Sequence, residues 1–376
     1  MLAPLILGEN HLYVVWPIPT LLICASALRC SALLWANLNS MPTEPHFVRL
    51  TRSALIRTRQ QLQHWFLRSI ERTPVPYQFA LRNILFTAFS PLFKGADTYT
   101  HWQAAQDYFD PKRSSDIELI NLQAIPTPKL PSNKRIAIQA HIFYPDIAPE
   151  IAQLLKDFPV PFDLLISTTD AKQEAFLRAQ FQNCPHLKQL HILVTPNRGR
   201  DLGPLLYGYG KKLLDYDYFA HIHTKKSSGT NAIGNIWRQY LFHGLLDSSK
   251  NRTLKILGLL EQFGLVYPQK FSHINVQNCQ WGDNLDQASS LCQLMGIASP
   301  SPGYIEFPAG SMFWAKTAAL KPLLEYPFTL DHFEIENGQT DRTMMHAIER
   351  SLAHISLSQG YPVAVLRNPS MLPVYP

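Results

Sequence analysis

Between Ile136 and His223, short apolar runs alternate with segments of helical spacing, and no other feature of the chain constrains its fold as much. Ile136 to Tyr144 reads as a strand, Pro149 to Phe158 as a helix, Phe162 to Thr168 as a strand and Lys172 to Phe181 as a helix. Leu190 to Thr195 then reads as a strand, Leu202 to Leu214 as a helix and Tyr218 to His223 as a strand. Strands separated by helices need right-handed crossovers, so the expected core is a layered α/β fold with a parallel sheet. Ligands of such sheets bind beyond the carboxyl ends of the strands, which directs attention to the loops just after them. With 376 residues, 46% of them apolar and 16% charged, the chain can build one large domain or two ordinary ones. The same figures exclude a disordered chain, a collagen-like repeat and a disulfide scaffold. The 5 cysteines have no metal or redox spacing and read as reduced and intracellular.

Three loops carry candidate chemistry. The first is NRGRDLGP, Asn197 to Pro204, between a strand and a helix. Gly199 can take a positive φ there, and the free amides of the helix start favour an anion or an aspartate. Asp201 at this place has a plain structural role as the helix N-cap. The second is FAHIHTKKSSG, Phe219 to Gly229. His221 and His223 share one face of the strand, but two histidines at i, i+2 without a carboxylate make a weak metal site. Lys225 and Lys226 lie just past the strand end, where they can neutralise a diphosphate; the bland reading is a solvated charged loop. The third runs from Glu306 through Ser351. Gly310 and Ser311 form a small-residue turn beside Trp314, whose ring suits a sugar face or a core. Asp331, Glu334, Glu336 and Asp341 follow, with His346, Glu349 and Arg350 on the helix beyond. Acids at a helix start are expected from the dipole alone, but their combination with a Gly-Gln turn, His346 and Arg350 exceeds what capping requires.

The formal charge of +6 is uneven. Residues 41–90 hold seven arginines and two acids, a net of +5, which leaves +1 for residues 91–376. From His46 to Arg72, Val48, Leu55, Leu62, Phe66 and Ile70 recur at helical spacing with arginine on the other faces. Such a helix either meets an anionic membrane surface through its arginines, with Trp65 and Phe66 shallowly buried, or packs its stripe on protein. Residues 1–40 are an apolar segment interrupted by Pro17, Pro19 and Arg29, either membrane-associated or a start-site artefact ahead of Met41. Pro111 to Asn133 is polar and proline-rich, which makes 41–130 a basic helical extension with a linker and 131–376 the α/β domain. No nucleic-acid motif accompanies the basic charge, and nucleic acid is not an expected partner.

In series, HIFYPDIAPEI (His141 to Ile151), NRGRDLGPLL (Asn197 to Leu206), HIHTKKS (His221 to Ser227), WRQYLFHGLL (Trp237 to Leu246), GLVYP (Gly264 to Pro268), FPAGSMFWAKTAALKPLL (Phe307 to Leu324) and the Gly338 to Arg350 stretch resemble the rhamnan synthesis protein F family. These are bacterial polysaccharide-assembly proteins regarded as rhamnosyltransferases, and the resemblance covers roughly residues 134–366. It implies an A-type glycosyltransferase-like fold, a mixed, mostly parallel sheet flanked by helices, here with an N-terminal helical extension. It also implies a dTDP-sugar donor, a lipid-linked glycan acceptor and a place on the cytoplasmic face of the bacterial inner membrane, peripheral or with one N-terminal anchor. Where such folds carry an Asp-x-Asp metal site, this chain has His223, Thr224 and Lys225. The expectation is therefore a metal-independent enzyme with no cofactor, magnesium and manganese staying open. The donor would be held by Asn197, Arg198, Gly199, Asp201, His223, Thr224, Lys225, Lys226 and Arg350. Gly310, Ser311, Trp314 and His346 would meet the acceptor, and Asp341, with Glu336 second, would act as base. Arg342 departs from the family pattern, which usually has glycine there. Two other readings stay open, a non-catalytic glycan-binding scaffold and a transferase for another nucleotide sugar.

Overall fold

A computed structural model of the chain describes residues 7–8, 11–12, 46–72, 75–96, 99–100, 102–103, 116–129, 133–224, 226, 231–271, 280–303, 305–339 and 341–367. Lys225 and most of the 1–40 segment lie outside them. The chain divides into two compact units, Met1–Tyr99 and Thr100–Pro376.

In the first unit, α1 (His46–Arg72) and α2 (Val75–Ala88) are followed by a single turn, Ser90–Phe93. Phe66 and Ile70 of the predicted stripe are buried, and Phe66 meets the rings of Phe89 at 5.1 Å and Phe93 at 5.9 Å. Arg59 Nε donates to the Leu92 carbonyl at 2.8 Å, closing the last turn onto α1. Of the two rings expected at a lipid surface, Trp65 is exposed and Phe66 is core. Among the described residues no helix is long and apolar enough to cross a membrane.

The second unit is built on an eight-stranded sheet. Its strands are β1 (Ile117–Ile120), β2 (Ile136–His141), β3 (Phe162–Thr168), β4 (Leu187–Val194), β5 (Tyr218–His223), β6 (Leu265–Pro268), β7 (Phe313–Lys316) and β8 (Val363–Leu366). Their order is β1-β8-β6-β7-β5-β2-β3-β4, and all neighbours are parallel except β7, which runs against both β6 and β5. This is the mixed, mostly parallel sheet flanked by helices that the alternation of runs requires. The four strands expected between Ile136 and His223 all form. β1 is the surprise: it arises within the stretch read as a linker, because Ile117–Ile120 pairs in register with Val363–Leu366 and Leu122 enters the core.

Helices cover both faces. On one side α3 (Ala148–Lys156), α4 (Glu174–Phe181), α6 (Asn231–Leu246) and α7 (Arg252–Leu259) pack on Ile136, Ile138, Ala140, Ile166, Ala220 and Ile222. On the other, α5 (Tyr209–Leu213), α8 (Leu285–Leu294), α9 (Lys321–Glu325) and α10 (Met344–Ser358) pack on Ala137, Leu165, Phe219 and Phe313. A π-helical turn, Pro204–Gly208, leads into α5. The chain leaves β2 toward β3 and β4 on one side, while β5 lies against β2 on the other. Connections diverge at that place, and the carboxyl ends of the strands flanking such a point are where sheets of this kind receive ligands.

Candidate active site

Side chains on a strand alternate between faces, so Ala137, Gln139 and His141 of β2 share a face with Leu165 and Ser167 of β3 and Phe219, His221 and His223 of β5. That face is apolar at the amino ends of the strands and polar at their carboxyl ends, although Gln139, Ser167 and His221 are fully buried. Burying polar groups is costly unless each finds a partner, and these do. His141 Nδ1 lies 2.9 Å from Ser167 Oγ, and Gln139 Nε2 donates to the same oxygen at 3.1 Å. His221 turns Nδ1 to Gln139 Oε1 at 2.5 Å and Nε2 to Asp201 Oδ2 at 3.1 Å. Ser311 Oγ donates to that same Asp201 oxygen. His223 Nε2 donates to the Gly310 carbonyl at 2.9 Å and lies 3.9 Å from the Asp201 carboxylate. Glu349, one turn beyond His346 on α10, accepts the Gly310 amide at 2.7 Å.

Electrostatics follow from this enclosure. Burial alone would raise the Asp201 carboxyl, but the His223 and His221 rings and the Ser311 hydroxyl hold it far below the usual carboxylate range. Burial pushes His141 down to about 4, against the pull of Asp201 and with the help of the His223 and His221 rings, so it is neutral at neutral pH. Two non-glycine residues here have left-handed backbone, Arg200 at φ 50° and Ser311 at φ 52°. Each costs about 1–2 kcal/mol relative to ordinary backbone, and such strain gathers where the surroundings over-determine a site.

A second group surrounds the start of α10. Arg200 grips Glu336 with two bonds, at 2.9 and 3.1 Å, and donates to the Gln339 carbonyl. The Arg200 hydrogen bond and charge, with the Gly338 amide, hold the Glu336 carboxyl below its ordinary range against a smaller effect of burial. Glu334 accepts the Met344 amide at 3.1 Å and so caps α10. Asp341 accepts from Asn284 Nδ2 at 2.5 Å and lies 3.5 Å from Arg350. His346 is bonded to Thr343 at 2.5 Å, and burial together with Arg200 and Arg350 lowers its pKa. Arg342 sits at φ 62°, the conformation a glycine would adopt freely, and pairs with Asp283 at 2.7 Å.

The fold thus gathers Asp201, His223, Gly310 and Ser311 into one cluster, and Glu336, Asp341, His346 and Arg350 into another joined to it through Arg200. The other expected residues are placed differently. Arg198 donates to the Phe333 carbonyl at 2.7 Å and approaches Asp331 at 3.4 Å, so it ties the acidic loop to the NRG turn. Gly199, at φ 77°, lets Phe333 come close, and Asn197 is exposed. Thr224 Oγ1 accepts the Phe143 and Tyr144 amides at 3.0 and 2.9 Å, joining the loops after β2 and β5. Lys226 pairs with Asp146 at 2.7 Å over the Tyr144 ring. Trp314 is fully enclosed on the opposite face, stacked on Phe158 with its Nε1 donating to Leu245, so its ring faces protein. Sequence reading passed over Arg200, Gln139, His141 and Ser167. Polar residues at i, i+2 inside otherwise apolar strands were the available signal for the last three.

A family model described as rhamnan synthesis protein F matches residues 102–361. The chain belongs to the rhamnan synthesis protein F family. It is similar to the uncharacterized protein WxcX of Xanthomonas campestris pv. campestris strain B100, 29% identical over 233 residues that make up 61% of this chain and 32% of that protein. WxcX of strain ATCC 33913 matches to the same extent. The chain therefore spans about a third of the length of these curated relatives, 32%.

Proposed function

We propose that the chain is a glycosyltransferase that moves a sugar, rhamnose from dTDP-rhamnose, onto a growing lipid-linked cell-surface polysaccharide. The observation that carries this reading is the divergence of the connections between β2 and β5, with a neutral His141, His223, Thr224 and Lys226 at or just past the carboxyl ends of these strands. A diphosphate there would take Lys226 from its exposed pair with Asp146, and Lys225 follows the same strand. Arg350 supplies a further cation from α10.

The acceptor hydroxyl attacks the anomeric carbon, the bond from that carbon to the diphosphate oxygen breaks, and the hydroxyl proton passes to a carboxylate. Asp341 suits that role better than Glu336. Its contacts are one amide donor and a 3.5 Å approach by Arg350, whereas Glu336 has both oxygens engaged by Arg200. The strand end that carries a metal site in related folds fits a divalent cation poorly. His223 Nε2 donates to a carbonyl, and the His221 nitrogens face Gln139 and Asp201. We therefore assign no metal to the reaction. The exposed Trp65 and the arginines of α1 support a peripheral place on an anionic membrane surface at the cytoplasmic face of the inner membrane.

A donor screen by product mass with a membrane-glycan acceptor tests this reading. Transfer from dTDP-rhamnose that survives excess EDTA supports it, and complete loss restored by magnesium or manganese overturns the metal-free site. The second reading, a glycan-binding scaffold, draws on the engagement of Glu336 by Arg200 and of Asp341 by Arg350 and Asn284. Binding of dTDP-rhamnose without hydrolysis or transfer to any acceptor would favour it.

A further inference from the structure

His141 ends β2 where the connections diverge, and one of its ring nitrogens is engaged, Nδ1, which faces Ser167 Oγ at 2.9 Å. Nε2 meets no hydrogen-bond partner among the described residues and is not sealed from solvent, so the 3% of His141 that is exposed includes this nitrogen. We infer that His141 Nε2 is a binding atom for an uncharged oxygen of the nucleotide sugar, and that a proton on His221 decides, through Gln139 and Ser167, whether this atom donates or accepts. That the ligand is a nucleotide sugar rests on the transfer reading above; the coupling of the two histidines does not.

The coupling is set by where the hydrogens sit along these bonds. The ionised Asp201 carboxylate requires a hydrogen on His221 Nε2, 3.1 Å away. With a second hydrogen on Nδ1, His221 donates to Gln139 Oε1 at 2.5 Å, and the Gln139 amide nitrogen donates to Ser167 Oγ at 3.1 Å, the arrangement in this structure. Ser167 is fully buried and has a single hydrogen to give, which then goes to His141 Nδ1. A neutral His141 keeps its own hydrogen on Nε2 and presents a donor. With His221 neutral, its Nδ1 is bare, so Gln139 must turn its amide nitrogen to His221 and its carbonyl oxygen to Ser167. Ser167 gives its hydrogen to that carbonyl and accepts from His141 Nδ1, which leaves Nε2 bare and an acceptor. The two arrangements differ by one proton, on His221; the hydrogen of His141 changes nitrogen by exchange with solvent at Nε2.

Around His221, Gln139 and the neutral His141 lie on β2, Asp201 faces it from the NRG turn, and the His223 ring stands 6.2 Å away on its own strand. Phe313 of β7 covers it at 5.7 Å, and Glu349 of α10 is held on the Gly310 amide. The negative charge of Asp201 also acts on His141, so a phosphate oxygen at Nε2 would be repelled. A hydroxyl both donates and accepts and therefore suits either state. Such hydroxyls belong to the sugar and to the nucleoside, while Lys226 remains for the diphosphate.

Nitrogen-15 NMR of the histidine-labelled full chain reads the state of each ring nitrogen. From about pH 5 to 8, His141 Nε2 should pass from protonated to bare with the midpoint at which His221 loses its proton. In Gln139→Met the His221 titration should persist and His141 should cease to follow it. A His141 tautomer that stays fixed while His221 titrates overturns the coupling, as does a His221 that keeps one state across this range or a Gln139→Met variant that behaves as wild type. The ligand arms add dTDP-rhamnose, dTDP and inorganic pyrophosphate at fixed pH. A shift of His141 Nε2 with both nucleotides assigns the bonded hydroxyl to the nucleoside, and a shift with dTDP-rhamnose alone assigns it to the sugar; each supports the contact. A shift with pyrophosphate, or none with dTDP-rhamnose bound, overturns it. His141→Phe removes one neutral hydrogen bond and should weaken dTDP-rhamnose binding in calorimetry by about 2- to 12-fold, and unchanged affinity overturns the contact as well. If wild-type protein binds no dTDP-rhamnose, the transfer reading fails and the contact falls with it, and the pH titration alone then decides the coupling.

Discussion

Gly199→Ala should destabilise the second unit by more than its backbone conformation explains. Gly199 has φ 77°, and a methyl group there would stand 2.7 Å from two atoms of the Phe333 ring and 2.8 Å from the Gly203 Cα. Neither neighbour can withdraw: Phe333 is 1% exposed, packed against Tyr207 and Phe328, and Gly203 is backbone at the start of the π turn. Left-handed alanine costs about 1–2 kcal/mol, and forcing a methyl into a filled space adds about 1–3 kcal/mol. Gly360 is the matched control, with φ 75° and nothing within 4 Å of the position its Cβ would take. Gly360→Ala should show the first contribution alone. At about 2–4 °C per kcal/mol for a unit of this size, Gly199→Ala should melt about 2–12 °C below Gly360→Ala in calorimetry. Equal melting temperatures would refute the claim that the NRG turn is shaped by the close approach of Phe333.

Other consequences follow from the site. Asp341→Asn should abolish sugar transfer while leaving the circular dichroism spectrum and melting temperature near wild type, and a near wild-type rate would exclude Asp341 as the base. Arg342→Gly should change stability by less than about 1 kcal/mol, because relief of left-handed backbone offsets an exposed ion pair to Asp283. A loss beyond about 2 kcal/mol in urea would show that the Arg342 side chain is structural. His141 titrates near 4 in the fold against about 6.5 in an unfolded chain, so the unfolded state binds more protons between those values. Stability should rise with pH across that window, by up to about 3 kcal/mol, and level off above it. Urea midpoints measured from pH 4 to 7 should show a shallower rise in His141→Gln, and an identical slope would refute the assignment.

Much of the architecture was legible in the chain because period and burial are local. Ile136 to His141 alternates faces between two helical layers, and Tyr218 to His223 does the same, so their strand character needs no distant partner to be seen. β1 was hidden because Ile117–Ile120 is short and set among turn residues, and only pairing with β8, almost 250 residues later, makes it a strand. Trp314 misled for a related reason. An aromatic residue beside a small turn looks the same in one dimension whether it faces a ligand or a core, and its place on β7 directs it to Phe158 on the face opposite His221 and His223.

The sequence by itself determined the alternation of strand and helix, the loops that reach the carboxyl edge of the sheet and the family to which the chain belongs, since spacing and ordered motifs carry these. Tertiary structure alone decided the partners. Asp201 meets Ser311 across 110 residues, Arg200 meets Glu336 across 136, and His223 meets Gly310 across 87. Charge and polarity announce that such groups need partners once water is removed, but which oxygen meets which nitrogen depends on where the folded strands and turns bring them together.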